Sequence, residues 1–315
     1  MTRTHRLLAV AVAVLWGINF LAIRATLEHY PPFLAVALRW SLLAIPTLLL
    51  VPRPKVATRW LVGYGLGFGV AQFTFLYWGM AAGMPTGLAS LVLQASAPFT
   101  VVLGAVFLRE PLTARRVVGI ALAVAGLTIV GSQRLGTGAG LVPFLLTVAG
   151  GFGWALGNLA SRQAQAPNPF HLTMWMTVVP PLPMFALSLL VEGPARIGDA
   201  LSTTFTAAAL PAVLGLVYTC LPATVLGSGL WTWLMTRYPA GSVAPFSMLV
   251  PVTGMTAAWL VLGETLGAVE IVGSGVVVVG VLVASLGGRR RPDLPTPAED
   301  AVPEPIPGPR VRGLT

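Results

Sequence analysis

Apolar residues arrive along the chain in blocks of about 18 to 23 positions, the length an α-helix needs to cross the hydrocarbon core of a bilayer. Arg, Pro and small polar clusters separate the blocks. The pattern predicts ten transmembrane helices, over residues 7–23, 33–51, 61–80, 86–108, 115–131, 139–160, 170–191, 205–231, 240–262 and 268–286. The blocks at 139–160 and 205–231 have the softest edges, because Gly and Pro interrupt them. The first block follows Met1–Arg6 in the manner of a signal peptide, but it is longer than a usual apolar signal core and reads as an uncleaved first span. The fold class expected is an all-α integral membrane protein.

Composition points the same way: 56% of residues are hydrophobic and 9% charged, where soluble domains carry about 25% charged residues. The mean hydropathy is +0.83. A net charge of +9 would suggest a nucleic-acid partner in a soluble protein, but these cations sit in short loops and form no basic stripe with interleaved aromatics. They report topology instead. With the amino terminus in the cytoplasm, Arg3, Arg6, Arg53, Lys55, Arg59, Arg109, Arg115, Arg116, Arg162, Arg237 and Arg289–Arg291 fall inside, against Arg24, Arg134 and Arg196 outside. The positive-inside rule then predicts a multi-pass membrane protein with both termini cytoplasmic. Residues 289–315, rich in Pro and charge, cannot bury enough apolar surface to fold and are predicted to be a disordered cytoplasmic tail. A single cysteine, Cys220, excludes a disulfide scaffold and a Cys-rich metal site.

The chain repeats itself. FLREPLTARRVVGIALAVAGLTIVGS around Glu110 corresponds to WLVLGETLGAVEIVGSGVVVVGVLVAS around Glu264, with Gly119 on Gly273 and Gly126 on Gly280. A weaker echo sets AVLWGINFLAIR on GFGWALGNLASR, pairing Trp16 with Trp154 and Asn19 with Asn158 to within one residue. The halves are residues 1–135 and 136–288. Five spans is an odd number, so the second half enters the membrane from the opposite face, the inverted-repeat logic of secondary transporters.

Within the spans stand a few polar and aromatic groups: Trp16, Asn19, Arg39, Gln72, Gln94, Trp154, Asn158 and Tyr218. Arg39 is the one charged side chain well inside a predicted span, where a central position costs about 2.5–3.5 kcal/mol. Two readings of it stay open. It binds a substrate carboxylate, or it snorkels to the outer headgroups about 9 Å away. Asn19, Gln72, Gln94 and Asn158 suit either a ligand or hydrogen bonds between helices, and Trp16 and Trp154 either a pathway or a membrane interface. Pro98 and Pro251, at comparable places in the two halves, are candidate gating kinks. The glycine run from Gly63 to Gly69 reads as a helix-packing face, and Glu110 and Glu264 as carboxylates at the N-termini of the helices that follow them. The sequence offers no acid/base pair, metal cluster or activated nucleophile with convincing spacing and no phosphate-binding loop. No enzyme activity, catalytic residue, metal or cofactor is expected. The expected partners are a small-molecule substrate and the lipid bilayer, with no nucleic acid. The small-residue faces would serve a homodimer as well as a bundle interior.

The paired Glu hairpins, AVLWGINFLAIR and the Trp-Ala-Leu-Gly-Asn segment at 154–158 resemble the drug/metabolite transporter superfamily in its ten-helix EamA-type branch, over about residues 7–286. PRPKV at 52–56, AQFTFLY at 71–77, GMPTGLASLVLQ at 83–94 and SVAPFSMLVPV at 242–252 are similar to that branch's bacterial exporters of O-acetylserine and cysteine. The resemblance implies two inverted five-helix repeats, cytoplasmic termini and export of small metabolites by alternating access. Amino acids or derivatives such as cysteine and O-acetylserine are the substrates it implies, with efflux of drugs as the alternative on the same fold. It singles out Trp16, Asn19, Arg39, Gln72, Gln94, Trp154 and Asn158. The chain departs from those exporters in parts of 160–240 and in its Pro-rich tail, which leaves the exact substrate open.

Overall fold

Each apolar block becomes a helix, because a bilayer leaves no water to satisfy backbone N–H and C=O groups. A computed structural model describes residues 1–135 and 140–285; the tail at 289–315 lies outside the described residues. The helices are α1 (Arg3–Leu27), α2 (Pro32–Leu50), α3 (58–81), α4 (Thr86–Leu108), α5 (Ala114–Arg134), α6 (Leu141–Ala164), α7 (Pro169–Val191), α8 (Pro194–Ser202), α9 (Ala207–Arg237), α10 (Gly241–Leu262) and α11 (Ala268–Ser285). Among the described residues, nine are long and apolar enough to cross a membrane. The tenth expected span, α3, is an unbroken helical run whose glycines and Gln72 dilute its apolar character. It packs along its length against α6. The short α8 was not expected. Its charged residues, Arg196 and Asp199, hide it from a search for apolar blocks.

Helix starts follow local chemistry. Thr2 caps α1 through the His5 N–H at 3.2 Å, and Asn168 caps α7 through the Phe170 and His171 N–H groups. Proline occupies the first helical position of α2 and α7, where its missing N–H costs nothing.

The inverted relation of the halves is visible where α5 meets α11. A Cβ on Gly126 would lie 2.6 Å from the Val277 nitrogen and 2.7 Å from the Gly273 oxygen. Gly119 likewise meets Gly280 and Ala284. The numbers rise along one helix as they fall along the other, so the two final spans run antiparallel about a local twofold. The glycines let the backbones touch. The same twofold passes between α4 and α10, where Gln94 donates to the Met248 sulfur at 3.9 Å. These two residues are themselves equivalents, 154 positions apart in the register that sets Glu110 on Glu264.

The helix irregularities are symmetric too. The middle of α3 (Gly65–Gln72) and of α9 (Thr219–Gly227) is π-helical. Each of α4 and α10 contains a 3₁₀ stretch, Leu93–Ala95 and Ala244–Met248, ending three residues before Pro98 and Pro251 respectively. A proline lacks the N–H its helix requires and clashes with the carbonyl one turn back, so the stretch before each tightens. The two Glu hairpins share a backbone as well. Arg109 and Gly263, again equivalents, end their helices in the left-handed conformation (φ 53° and 67°). The Glu110 and Glu264 N–H groups reach back to Gly104 and Ala258 at 3.3 Å each.

Candidate functional site

The π-helical turn of α9 is where three other helices bring polar side chains. A π turn widens the helix by one residue and aims groups that an α-helix would keep pointed away. Ala223 and Thr224 are successive residues in it. The Ala223 carbonyl accepts from the Trp16 indole N–H at 2.9 Å, and the Thr224 hydroxyl accepts from the Arg39 guanidinium at 3.0 Å. Arg39 also donates to the Tyr77 hydroxyl at 3.5 Å. Its guanidinium lies over the Phe73 ring, 4.1 Å from the centroid, and beside Trp40 at 4.9 Å. Phe73 and Tyr77 are four residues apart on one face of α3, which is why both reach it.

Arg39 is 4% exposed. The snorkelling reading is therefore corrected: the side chain runs into the bundle and not along it to the headgroups. The physical reason is the partner set, since hydroxyls and aromatic faces together recover part of the cost of burying the cation. Among the described residues no carboxylate lies within ion-pair distance of it, and its Nε has no acceptor. Two acceptors elsewhere in the bundle are also orphaned: Asn19 Oδ1 on α1 and Gln72 Oε1 at the end of the α3 π turn.

The other expected residues scatter. Trp16 lies tilted against Trp231, ring centroids 5.2 Å apart, tying α1 to α9. Tyr218 donates to the Leu15 carbonyl at 3.1 Å and strengthens the same contact. Trp154 meets Phe68 edge to face at 6.0 Å, and Asn158 donates to Thr100 at 3.1 Å, joining α6 to α4. Gln94 stands on the local twofold. Pro98 and Pro251 are buried beside their 3₁₀ stretches. Sequence reasoning did not single out Tyr77, Phe73 or Thr224. The Phe73/Tyr77 spacing and Pro222, inside the α9 span, were the available signals.

The mouths of the bundle are lined differently. Beside the start of α2 a cavity of about 660 Å³ opens, bordered by Arg24, Glu28, His29, Tyr30, Arg196 and Asp199. Next to it Glu192 accepts from the Phe33 and Leu34 N–H groups at 2.7 and 3.0 Å. Glu264 does the same for another helix, accepting from Thr86 and Gly87 at 2.9 Å each. The expected cap is thus real but belongs to α4, not to the helix that follows Glu264. Glu110 caps nothing among these helices. It is ion-paired with Arg162 and Arg116. A buried cation with free donor capacity, hydroxyls and orphaned acceptors can bind and release a polar solute.

Two segments, residues 5–132 and 141–286, match the model of the EamA-like transporter family. A probable amino-acid metabolite efflux pump of Salmonella typhimurium is 40% identical over 296 residues, covering 92% of this chain and 98% of its own. A protein of the same description from Escherichia coli is 38% identical over the same shares of the two chains. A probable terminal-alkyne amino-acid exporter of Streptantibioticus cattleyicolor is 27% identical, covering 91% of this chain and 96% of its own. A solved structure, titled only as the crystal structure of a protein, superposes with a TM-score of 0.58 at 18% identity, covering 91% of this chain and 98% of that one. That likeness shows the fold.

Proposed function

On the premise that this chain belongs to the EamA-like transporter family, we propose that it exports amino acids or close derivatives, of the cysteine and O-acetylserine kind, by alternating access. One observation supports this substrate class above others: Arg39 is a buried cation held by neutral hydroxyls and aromatic faces, with its Nε unpaired. A substrate carboxylate is the anion this cation lacks. A charge-assisted hydrogen bond of that kind contributes roughly 1.5–3 kcal/mol. Asn19 Oδ1 and Gln72 Oε1 are acceptors without donors, the complement of an ammonium group. In this reading Tyr77 and Thr224 orient the guanidinium, while Trp16, Trp154, Asn158, Gln94 and Tyr218 shape the path. Pro98 and Pro251 loosen α4 and α10 where the halves must move. In this reading both termini lie in the cytoplasm, which the distribution of Lys and Arg supports, and the transport repeats are residues 1–135 and 136–288.

Uptake of labelled cysteine and O-acetylserine into everted membrane vesicles tests the proposal, with an inert membrane protein as the control. Accumulation by the native chain, reduced about tenfold or more in Arg39→Ala and partly restored in Arg39→Lys, is the expected result. No accumulation of either compound would move the assignment to hydrophobic efflux. Transport that survives Arg39→Ala would leave that side chain a packing role alone.

A further inference from the structure

The two Glu hairpins have the same backbone and equivalent sequences, yet their carboxylates do different things. Glu264 is seated on the start of α4, on the Thr86 and Gly87 N–H groups. The equivalents of Thr86 and Gly87 are Ala240 and Gly241, at the start of α10, and each pair follows a proline, Pro85 or Pro239. Glu110, the equivalent of Glu264, is instead turned to Arg162 and Arg116. The difference extends through the helices. Every residue from Thr86 to Ala95 is buried, whereas in the equivalent stretch of α10, from Gly241 to Leu249, Val243 and Met248 alone are buried. A Cβ on Gly87 would meet Met255 at 3.1 Å, and one on Gly241 would have no neighbour within 4 Å. Helices α4 and α10 thus cross at Gln94 and Met248, closed on the Glu264 side of the crossing and parted on the Glu110 side.

We propose that Glu264 and Glu110 are reciprocal latches, and that transport exchanges one for the other. In the present state Glu264 holds α4 shut against α10. In the opposite state Glu110 leaves Arg162 and Arg116 and seats on the start of α10, and Gly241 packs against α4 as Gly87 now packs against α10. The repeat also names the partner that receives Glu264 when it lets go. Arg162 ends GFGWALGNLASR, and its equivalent at the end of AVLWGINFLAIR is Arg24. Arg24 stands on the Glu264 face, held by an exposed contact with Glu28 at 3.7 Å. The exchange therefore runs between Glu264 on α4 with Glu110 on Arg162 and Arg116, and Glu110 on α10 with Glu264 on Arg24; Arg116 falls on Glu270 in the repeat register, so only the Arg162 half of that pairing has its counterpart. A carboxylate on two helix N–H groups binds more strongly than an exposed ion pair, so the latch and not the arginine decides which state each glutamate favours.

Thiol labelling tests this without any substrate, so a wrong substrate assignment leaves the result readable. In full-length chain with Cys220→Ala, Ser90→Cys reports opening on the Glu264 face and Ser242→Cys opening on the Glu110 face. An impermeant maleimide is applied to each face separately. Ser242→Cys should label readily and Ser90→Cys slowly. Adding Glu264→Gln should raise the Ser90→Cys rate about tenfold and lower that of Ser242→Cys. Adding Gly241→Leu, into a place with room in this state, should slow Ser90→Cys labelling about tenfold, because the opposite state has no space for the side chain. Should Glu264→Gln fail to insert, Gly241→Leu carries the test, since a Cβ at that position has no neighbour within 4 Å. Unchanged Ser90→Cys labelling in Gly241→Leu, or labelling that does not rise in an inserted Glu264→Gln, would overturn the exchange.

Discussion

Glu192 shows how a single side chain can hold a helix end inside a membrane protein. It is 7% exposed and accepts from two backbone N–H groups and from the Ser188 hydroxyl at 2.5 Å. Glu192→Ala strands those donors in a buried place, which costs roughly 1–3 kcal/mol. We expect a clear fall in the thermal unfolding midpoint in detergent, with Glu192→Gln losing less than half as much. Little of this residue's role was legible beforehand. Its position at a span end fits equally a solvated loop, and only the fold brings Phe33 and Leu34 to it. Arg39 teaches the same lesson: six residues into a predicted span, a long cation has two places to go. The choice is made by Phe73, Tyr77 and Thr224, which lie on two other helices.

Among the elements, the α5/α11 pair rests on backbone contact, so size at its glycines matters directly. Gly126→Val would drive atoms into Val277 and Gly273 and should destabilise by about 1–3 kcal/mol. A Cβ on Gly275 of the same α11 would have no neighbour within 4 Å, so Gly275→Val should leave the unfolding midpoint nearly unchanged. Pro98→Ala and Pro251→Ala restore a backbone donor. Each should keep the fold while lowering the maximal transport rate more than the substrate KM, measured in the vesicle assay. Nearly all spans were legible, because bilayer thickness imposes a length that composition reveals. Helix α8 was not, since a short charged helix has no such length. The π turns in α3 and α9 were not either, because π and α helices draw on the same residues and differ by how one extra residue is absorbed.

At the scale of the whole molecule, contacts between ends test whether the spans alternate as the sequence requires. His5 meets Tyr238 at 2.5 Å, and Glu110 pairs with Arg162. Ten alternating spans put each of these pairs on one face, the face of the amino terminus. The opposite face carries Phe205, which is 99% exposed. With Cys220→Ala as background, Phe205→Cys should label in intact cells, and Ser242→Cys only after the membrane is opened. The reverse pattern would invert the molecule. The glycine contact between α5 and α11 carries a further meaning at this scale. It reads the same from either half, as the interface of a twofold dimer does. A protein made of one half alone could therefore have built it from two copies lying opposite ways up in the membrane. Holding the halves together is then a task that this interface can perform by itself, so residues 1–135 and 136–315 produced as separate chains should still find each other and assemble.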